Sequence, residues 1–391
     1  MSTADALTDT APELVLGNAR LVLPDAVVRG SVAVRGGVIA DMAEGRSLPP
    51  GAVDCEGGLL IPGLVELHTD NLEKHLTPRP GVHWPRPAAV IAHDGEIAAA
   101  GITTVFDALR VGSITRSWAG IGSDEYARAV ADAILRLVAA RALRIDHLLH
   151  LRAELCSETV LEELDAFRPE DRVRIISVMD HTPGQRQFAD ESKFRQYYQG
   201  KHGMSEEQMA DFIAFTKALS AERGAVQEAG VVDRAKALGA VLASHDDTTA
   251  DHVAASLAAG IDFAEFPTTL EAARAYRATG KPVMMGAPNI LRGGSHSGNV
   301  AAMELAEAGL LDILSSDYAP SALLMGAMRV AEAGGDLPAA IAMVSRNPAR
   351  AVGLEDRGEI APGRRADLVS LREIDGLAVA TGVWSAGRKV A

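Results

Sequence analysis

The stretch Ile61-Pro62-Gly63-Leu64-Val65-Glu66-Leu67-His68-Thr69-Asp70-Asn71 decides how this chain is read. An apolar run enters it, and a His and an Asp close it two residues apart. Alternate side chains of an extended strand share one side. His68 and Asp70 are therefore expected to project together from the end of a buried strand. One imidazole and one carboxylate in that position make half of a metal site. Such a pair standing alone is more often a structural coincidence, so the question is whether later strand ends repeat it.

Downstream of this stretch, short apolar runs alternate with helical patterns. The strands expected are Ile102–Phe106, His147–Leu151, Val173–Met179, Val241–Ala243, Phe263–Phe266, Val283–Met285 and Ile313–Leu314, which with the first make eight. Ala127, Val130, Ile134, Leu137 and Val138 share one face of a helix expected over 124–143, with Ser123 as its cap. Ser205-Glu206-Glu207-Gln208 is a capping-box pattern. Gly260 and Gly280 sit where helices over 249–259 and 269–279 should stop. Eight strand–helix units predict a (β/α)8 barrel of the TIM type. A doubly wound sheet is the rival, but no Gly-x-Gly-x-x-Gly follows the first strand.

Upstream, residues 13 to 60 read as a β meander, with Gly36-Gly37 as a hairpin turn that needs positive φ. Strands resume at Asp367–Leu371 and at Val383-Trp384. Both termini are then β, and pairing them gives a small discontinuous β-sandwich. The organisation expected is a poorly ordered segment 1–12, a sandwich from 13–62 and 355–391, and a barrel over 63–354.

The formal charge of −14 argues against a nucleic-acid surface. No apolar run is long enough to span a membrane, and residues 1–12 do not resemble a signal peptide. Cys55 and Cys156 form no disulfide framework, and a cytoplasmic setting is expected.

Barrel active sites gather at the C-terminal ends of the strands. Those ends carry His68 and Asp70, then Asp107 and Arg110, then Glu154, then Asp180 and His181, then His245, Asp246 and Asp247, and last Asp317. A single His at a strand end is usually structural. Three of them with carboxylates at other ends predict a metal site. The proposed ligands are His68, Asp70, Glu154, His181, His245 and Asp317. Imidazole and carboxylate without thiolate suit a divalent ion, Zn first, with Mn or Fe as alternatives. Six ligands exceed one tetrahedral shell, so two ions are expected, with Glu154 shared. Two ions can polarise a phosphoryl or carbonyl oxygen. Asp317 is the expected general base.

Three loops look built for an anion. The first carries Lys74, His75, Arg79, His83 and Arg86. The second, 185–203, carries Arg186, Lys193, Arg195 and Lys201 with Phe188, Phe194, Tyr197 and Tyr198, and is expected to act as a lid. The third runs from Asn289 to Asn299 through Arg292, Gly293-Gly294 and His296, where backbone N–H groups can face phosphate oxygens. Arg110, Arg186, Lys201, Arg292, His296 and Asn299 are the expected substrate contacts.

Ile61-Pro62-Gly63-Leu64 leading to His68, Asn347-Pro348-Ala349, and Gly363-Arg364-Arg365-Ala366-Asp367-Leu368-Val369 resemble the amidohydrolase superfamily. Longer motifs narrow the likeness: Glu66–Glu73, Asp180–Phe188, Ala243–Asp247, Gly286–Asn289 with Gly293–Asn299, and Ser315–Tyr318. These look like the alpha-D-ribose 1-methylphosphonate 5-triphosphate diphosphatases of the carbon–phosphorus lyase pathway. The resemblance implies hydrolysis of a small phosphorylated ribose phosphonate to its 5-phosphate and diphosphate, with a homodimer open to it as an assembly. A hydrolase of C–N bonds acting on an anionic substrate is the alternative on the same barrel. Two departures from the superfamily stand out. Asp70 takes the place of a frequent second His. No Lys is placed to serve as a carboxylated bridge, a role that passes to Glu154. The later His are counted on strands four and five, where many relatives carry them on five and six.

Overall fold

The computed structural model describes residues 14–46, 48–115, 126–186, 191–295 and 298–391. The expectations for residues 1–12, Ser123, Phe188 and His296 lie outside the described residues, as do the side chains of Lys193, Tyr197 and Lys201.

The N-terminal strands are β1 (Leu14–Val22), β2 (Val27–Arg35), β3 (Val38–Glu44), β4 (Val53–Asp54) and β5 (Leu59–Pro62). Gly36 and Gly37, at φ +58° and +79°, make the β2–β3 turn that the sequence calls for. The barrel strands follow as β6 (Leu64–Thr69), β7 (Ile102–Val111), β8 (Asp146–Glu154), β9 (Val173–Met179), β10 (Val241–His245), β11 (Phe263–Glu265), β12 (Val283–Gly286) and β13 (Ile313–Ser315). The C-terminal strands are β14 (Leu368–Ile374), β15 (Leu377–Ser385) and β16 (Arg388–Lys389).

β6 to β13 pair in sequence order as one eight-stranded sheet, and every pairing in it is parallel. A parallel bridge between Thr69 and Asp317 brings the first strand back to the last. All eight expected strands are present, and the barrel is nearly closed. Parallel strands are covered on both faces, and β6, β10 and β12 are buried almost throughout.

The terminal strands form a second sheet in the order β16-β15-β14-β5-β1-β2-β3, mostly antiparallel. It is one continuous sheet. Its two ends approach each other where Ala366 N–H donates to Gly37 O and Gly387 N–H to Ala366 O, at 2.9 and 2.8 Å. Leu16, Leu21, Val32, Ile39, Leu60 and Trp384 fill the space it encloses.

Gly63 joins the two sheets. A Cβ there would lie 2.2 Å from Thr103 Oγ1, so the chain crosses from β5 to β6 through a gap only glycine fits. Buried Arg357 bonds Thr104 Oγ1 and Asp146 Oδ2 at 2.9 and 2.8 Å, and Arg365 reaches the same carboxylate at 3.2 Å. These contacts lie at the start of β8, far along the strand from its catalytic end.

Two loops differ from expectation. Glu191–His202 is a helix, and Phe194 is buried among Met204, Met209, Phe212 and Ile213. Phe194 and Tyr198 pack on Phe212 of the helix Glu206–Leu238, whose capping box is formed as expected. Ala287–Arg292 is also helical, stopped by Gly293 at φ +76°. The helix expected over 124–143 is described from Ala127 to Ala139. Among the described residues, no helix is long and apolar enough to cross a membrane.

Candidate active site

Alternation along the barrel strands sorts the polar residues. The lower interior is apolar: Val65, Leu67, Phe106, Leu148, Ile175, Ala243, Phe263, Met284 and Ile313. Counting on in twos from these residues reaches His150, Arg152 and Glu154 on β8, Arg110 on β7, His245 on β10, Glu265 on β11, and His181 and Asp317 just past β9 and β13. The inner face therefore changes from apolar to ionisable at one level around the ring.

Glu265 organises that level. Fully buried, its Oε1 lies 2.8 Å from His68 Nδ1 and its Oε2 2.6 Å from His245 Nδ1. One carboxylate thus engages the Nδ1 of both rings, whose centroids are 6.0 Å apart, and leaves both Nε2 atoms to the pocket. Burial alone would lower the His68 pKa, but the charge of Glu265 and the nearby Asp70 carboxylate raise it to about 10. A cation bound at His68 would have to displace that proton, because only the neutral imidazole ligates.

Three sets of donor atoms converge within 4.8 Å: His68 with Asp70 and Asp317, His181 with His245 and Asp246, and His68 with His150 and Glu265. The third set is internally satisfied. His150 Nδ1 lies 2.8 Å from Leu67 O and Nε2 2.9 Å from Ser177 Oγ, and Glu265 is committed as described. The first two sets face the pocket. Asp246 Oδ2 is buried with no hydrogen-bond partner among the described residues, 3.3 Å from His245 Nε2 and 3.9 Å from His181 Nε2. A buried carboxylate oxygen left in that state costs stability unless a cation meets it. This donor set fits a divalent ion.

Five of the six expected ligands are brought together in these sets. Glu154 is not. Its Oε1 accepts from the His181 N–H at 3.0 Å and from Cys156 N–H, while Oε2 bonds His181 Nδ1. Burial raises and His181 lowers its pKa, which settles near 2. Glu154 aims His181, as Glu265 aims His68 and His245. Glu154 lies in none of the three donor sets, which is where the arrangement departs from its expected place as a shared ligand.

Asp317 is anchored by backbone: its N–H donates to His68 O at 3.2 Å, and its own carbonyl accepts from Asp70 N–H at 2.8 Å. Glu66 ties the same two strand ends, accepting from His68 N–H at 2.7 Å and Ser316 N–H at 2.5 Å. Asp246, Phe266 and Asp317 all have positive φ, at +58°, +53° and +53°. Three non-glycine residues in that sparsely populated region, at the ends of β10, β11 and β13, mark a rim built for position at the expense of backbone comfort.

The expected anion contacts are dispersed. Arg110 donates to Gly112 O at 2.9 Å and lies over Tyr126. Arg186 clamps His245 O at 2.9 Å and the buried Asp247. Arg292 is exposed at the end of its helix, and Asn299 is half-buried. Asp107 has the opposite alternation and points out of the barrel to His93 and His147. Asp180 folds its own turn, accepting from Thr182 and Gln185. Glu265 and Arg152 are not among the expected site residues, and His150 lacks a clear strand-end position in the sequence. Each is a charged or polar residue at an inward step of an otherwise apolar strand, and that was the available signal.

A nearly closed parallel barrel with imidazole–carboxylate sets at the C-terminal ends of its strands carries its polar site where barrel enzymes carry theirs. Residues 59–390 match the family model of the amidohydrolase family, and the chain belongs to that family, whose members generally use divalent metal ions. It is 46% identical over 382 residues to the alpha-D-ribose 1-methylphosphonate 5-triphosphate diphosphatase of Escherichia coli, covering 96% of this chain and all of that one. Solved structures of the same fold include N-isopropylammelide isopropylaminohydrolase from Burkholderia multivorans, at 16% identity and TM-score 0.62 over 97% of this chain and 98% of that one. Another is dihydropyrimidinase from Brevibacillus agri, at 14% and 0.61 over 97% and 95%.

Proposed function

We propose that this chain hydrolyses alpha-D-ribose 1-methylphosphonate 5-triphosphate to the 5-phosphate and diphosphate, as a hydrolase of the phosphonate-degrading carbon–phosphorus lyase pathway. The observation that carries the reading is the 46% identity, over the full length of the relative, to an enzyme of that name. The likeness to C–N hydrolases lies below a fifth of positions and is a likeness of fold.

Water adds at the α-phosphorus, the bond to the α–β bridging oxygen breaks, and diphosphate leaves with that oxygen. Asp317 takes the proton of the attacking water. Its backbone ties to His68 and Asp70 set where the carboxylate stands. His68, Asp70, His181, His245 and Asp317 hold the metal, with Asp246 added and Glu154 and Glu265 orienting the imidazoles. Two sets of donors support two ions, with Zn favoured and Mn or Fe as alternatives. Bound there, divalent ions lower the pKa of water and offset the charge that builds on the phosphoryl oxygens. Arg110, Lys201, Arg292, His296 and Asn299 are assigned to the triphosphate. Arg186 supports the end of β10 through Asp247.

The test is phosphorus NMR of the purified protein with the 5-triphosphate, loaded in turn with Zn, Mn and Fe. Diphosphate and the 5-phosphate in equal amounts are expected. No diphosphate under any metal, with turnover of a cyclic amide instead, would replace this reading by C–N hydrolysis.

A further inference from the structure

Arg152 lies two residues before Glu154 on the inward alternation of β8, in register with Arg110 on β7. Two arginines thus stand side by side on adjacent strands at the level where the interior becomes ionisable. The Arg152 side chain is 16% exposed, and its NH1 donates to Asp70 Oδ1 at 2.6 Å. Asp70 in turn sits 3.6 Å from His68 Nε2. A guanidinium carries five N–H donors in a planar fork. Here the Nε–H is buried without a hydrogen-bond partner among the described residues.

A cation at this point works against a site whose task is to hold cations. Asp70, Glu73 and Glu265 supply negative charge around it, yet none of them takes the Nε–H. An under-satisfied guanidinium beside metal ligands has a use if the substrate brings anionic oxygens to the same place. Arginine suits non-bridging phosphoryl oxygens because its fork matches their spacing. The contact also separates substrate classes. A phosphoryl group offers charged oxygens to both metal and guanidinium, whereas an amide carbonyl offers one uncharged oxygen.

We propose that Arg152 is a specificity-determining phosphate anchor, which binds non-bridging oxygens of the triphosphate beside the His68–Asp70 ligands. This rests on the diphosphatase reading for the identity of the substrate, and on the Arg152–Asp70 geometry for the place.

Inorganic tripolyphosphate is the probe, titrated by calorimetry into metal-loaded wild type, Arg152→Lys and Arg152→Gln, with metal content measured on each. The lysine keeps the charge without the fork, and carries the test if the glutamine variant does not fold. Binding to both variants is expected to weaken roughly tenfold or more with metal content unchanged. Equal affinity in wild type and Arg152→Lys overturns the proposal. So does loss of metal in step with loss of binding, which would make Arg152 only the positioner of Asp70. Wild type that ignores the ribose triphosphate yet binds tripolyphosphate through Arg152 ends the diphosphatase reading and leaves the anchor standing. Wild type that turns over the triphosphate with KM and kcat matched by Arg152→Lys does the reverse.

Discussion

Two clusters of imidazoles and carboxylates occupy opposite faces of the same barrel wall. Outside it, His93 Nε2 bonds Asp107 Oδ1 at 2.9 Å, Asp107 Oδ2 bonds His147 Nδ1 at 2.8 Å, and His147 Nε2 reaches Asp94 Oδ1 at 3.3 Å. Asn71 Nδ2 meets His93 Nδ1 at 3.1 Å, and Arg144 closes on Asp94 at 2.9 Å. Every ring nitrogen of this outer cluster has a partner. Inside, His68 and His245 use Nδ1 on Glu265 and turn Nε2 toward carboxylates, and Asp246 Oδ2 has no hydrogen-bond partner among the described residues. The residue types are the same. What separates a binding site from a structural network is whether the donors converge with valence left over, and which side of the strand they occupy.

The comparison breaks most sharply at Asp317. Asp317→Asn is expected to keep metal content and lose roughly 10²- to 10⁴-fold in kcat. Steady-state rates with elemental analysis check both, and near-normal turnover would remove Asp317 as the base. Asp107→Asn should do the opposite. It strips a fully buried carboxylate from two imidazoles, at a cost of about 3 kcal/mol in stability, while kcat stays near wild type. Denaturant unfolding and the same assay read the two halves.

Glu265→Gln sits between these cases. It should leave the fold intact and weaken metal affinity roughly 10- to 100-fold, measured by competition with a chelator. Unchanged affinity would deny that Glu265 sets the two imidazoles.

The smallest effect is in pH. Burial lowers the His147 pKa, but Asp107 and Asp94 raise it to about 9 from 6.5. Its stabilising contribution is complete below 6.5 and is lost as pH rises through about 9. Burial raises the Asp107 pKa, but His147 and His93 hold it well below the ordinary 3.8. That contribution is present above 3.8 and is lost in stronger acid. The unfolding temperature should therefore plateau between these limits and fall on either side. Asp107→Asn should flatten the alkaline fall; an unaltered profile would place the pH dependence elsewhere.

Much of this was legible in the chain. The eight strands, the Gly36-Gly37 turn, the Ser205 capping box and Gly260 rest on local chemistry, namely alternation, φ preference and orphan N–H groups. The segment 185–203 was expected as a loop, yet Glu191–His202 is a helix, because Phe194 finds its partners, Met209 and Phe212, on the next helix. Asp107 was grouped with the site because the strand was expected to end at Phe106; β7 runs on to Val111, and Asp107, one step from inward Phe106, faces outward. β6 and β7 pair with shifts at Leu64/Val65 and Glu66/Thr69, and no residue pattern announces those.

By itself the sequence determined the barrel, the order of its strands and the presence of His68, Asp70, His181, His245 and Asp317 at their ends. Those follow from hydrophobic periodicity and residue type, which are local. Only the tertiary structure decided that Glu265 links His68 to His245, that Glu154 is spent on His181, and that Arg152 stands against Asp70. Each of these is a contact between strands far apart in the chain, set by closure of the barrel and by which few ångströms of a buried side chain remain unpaired.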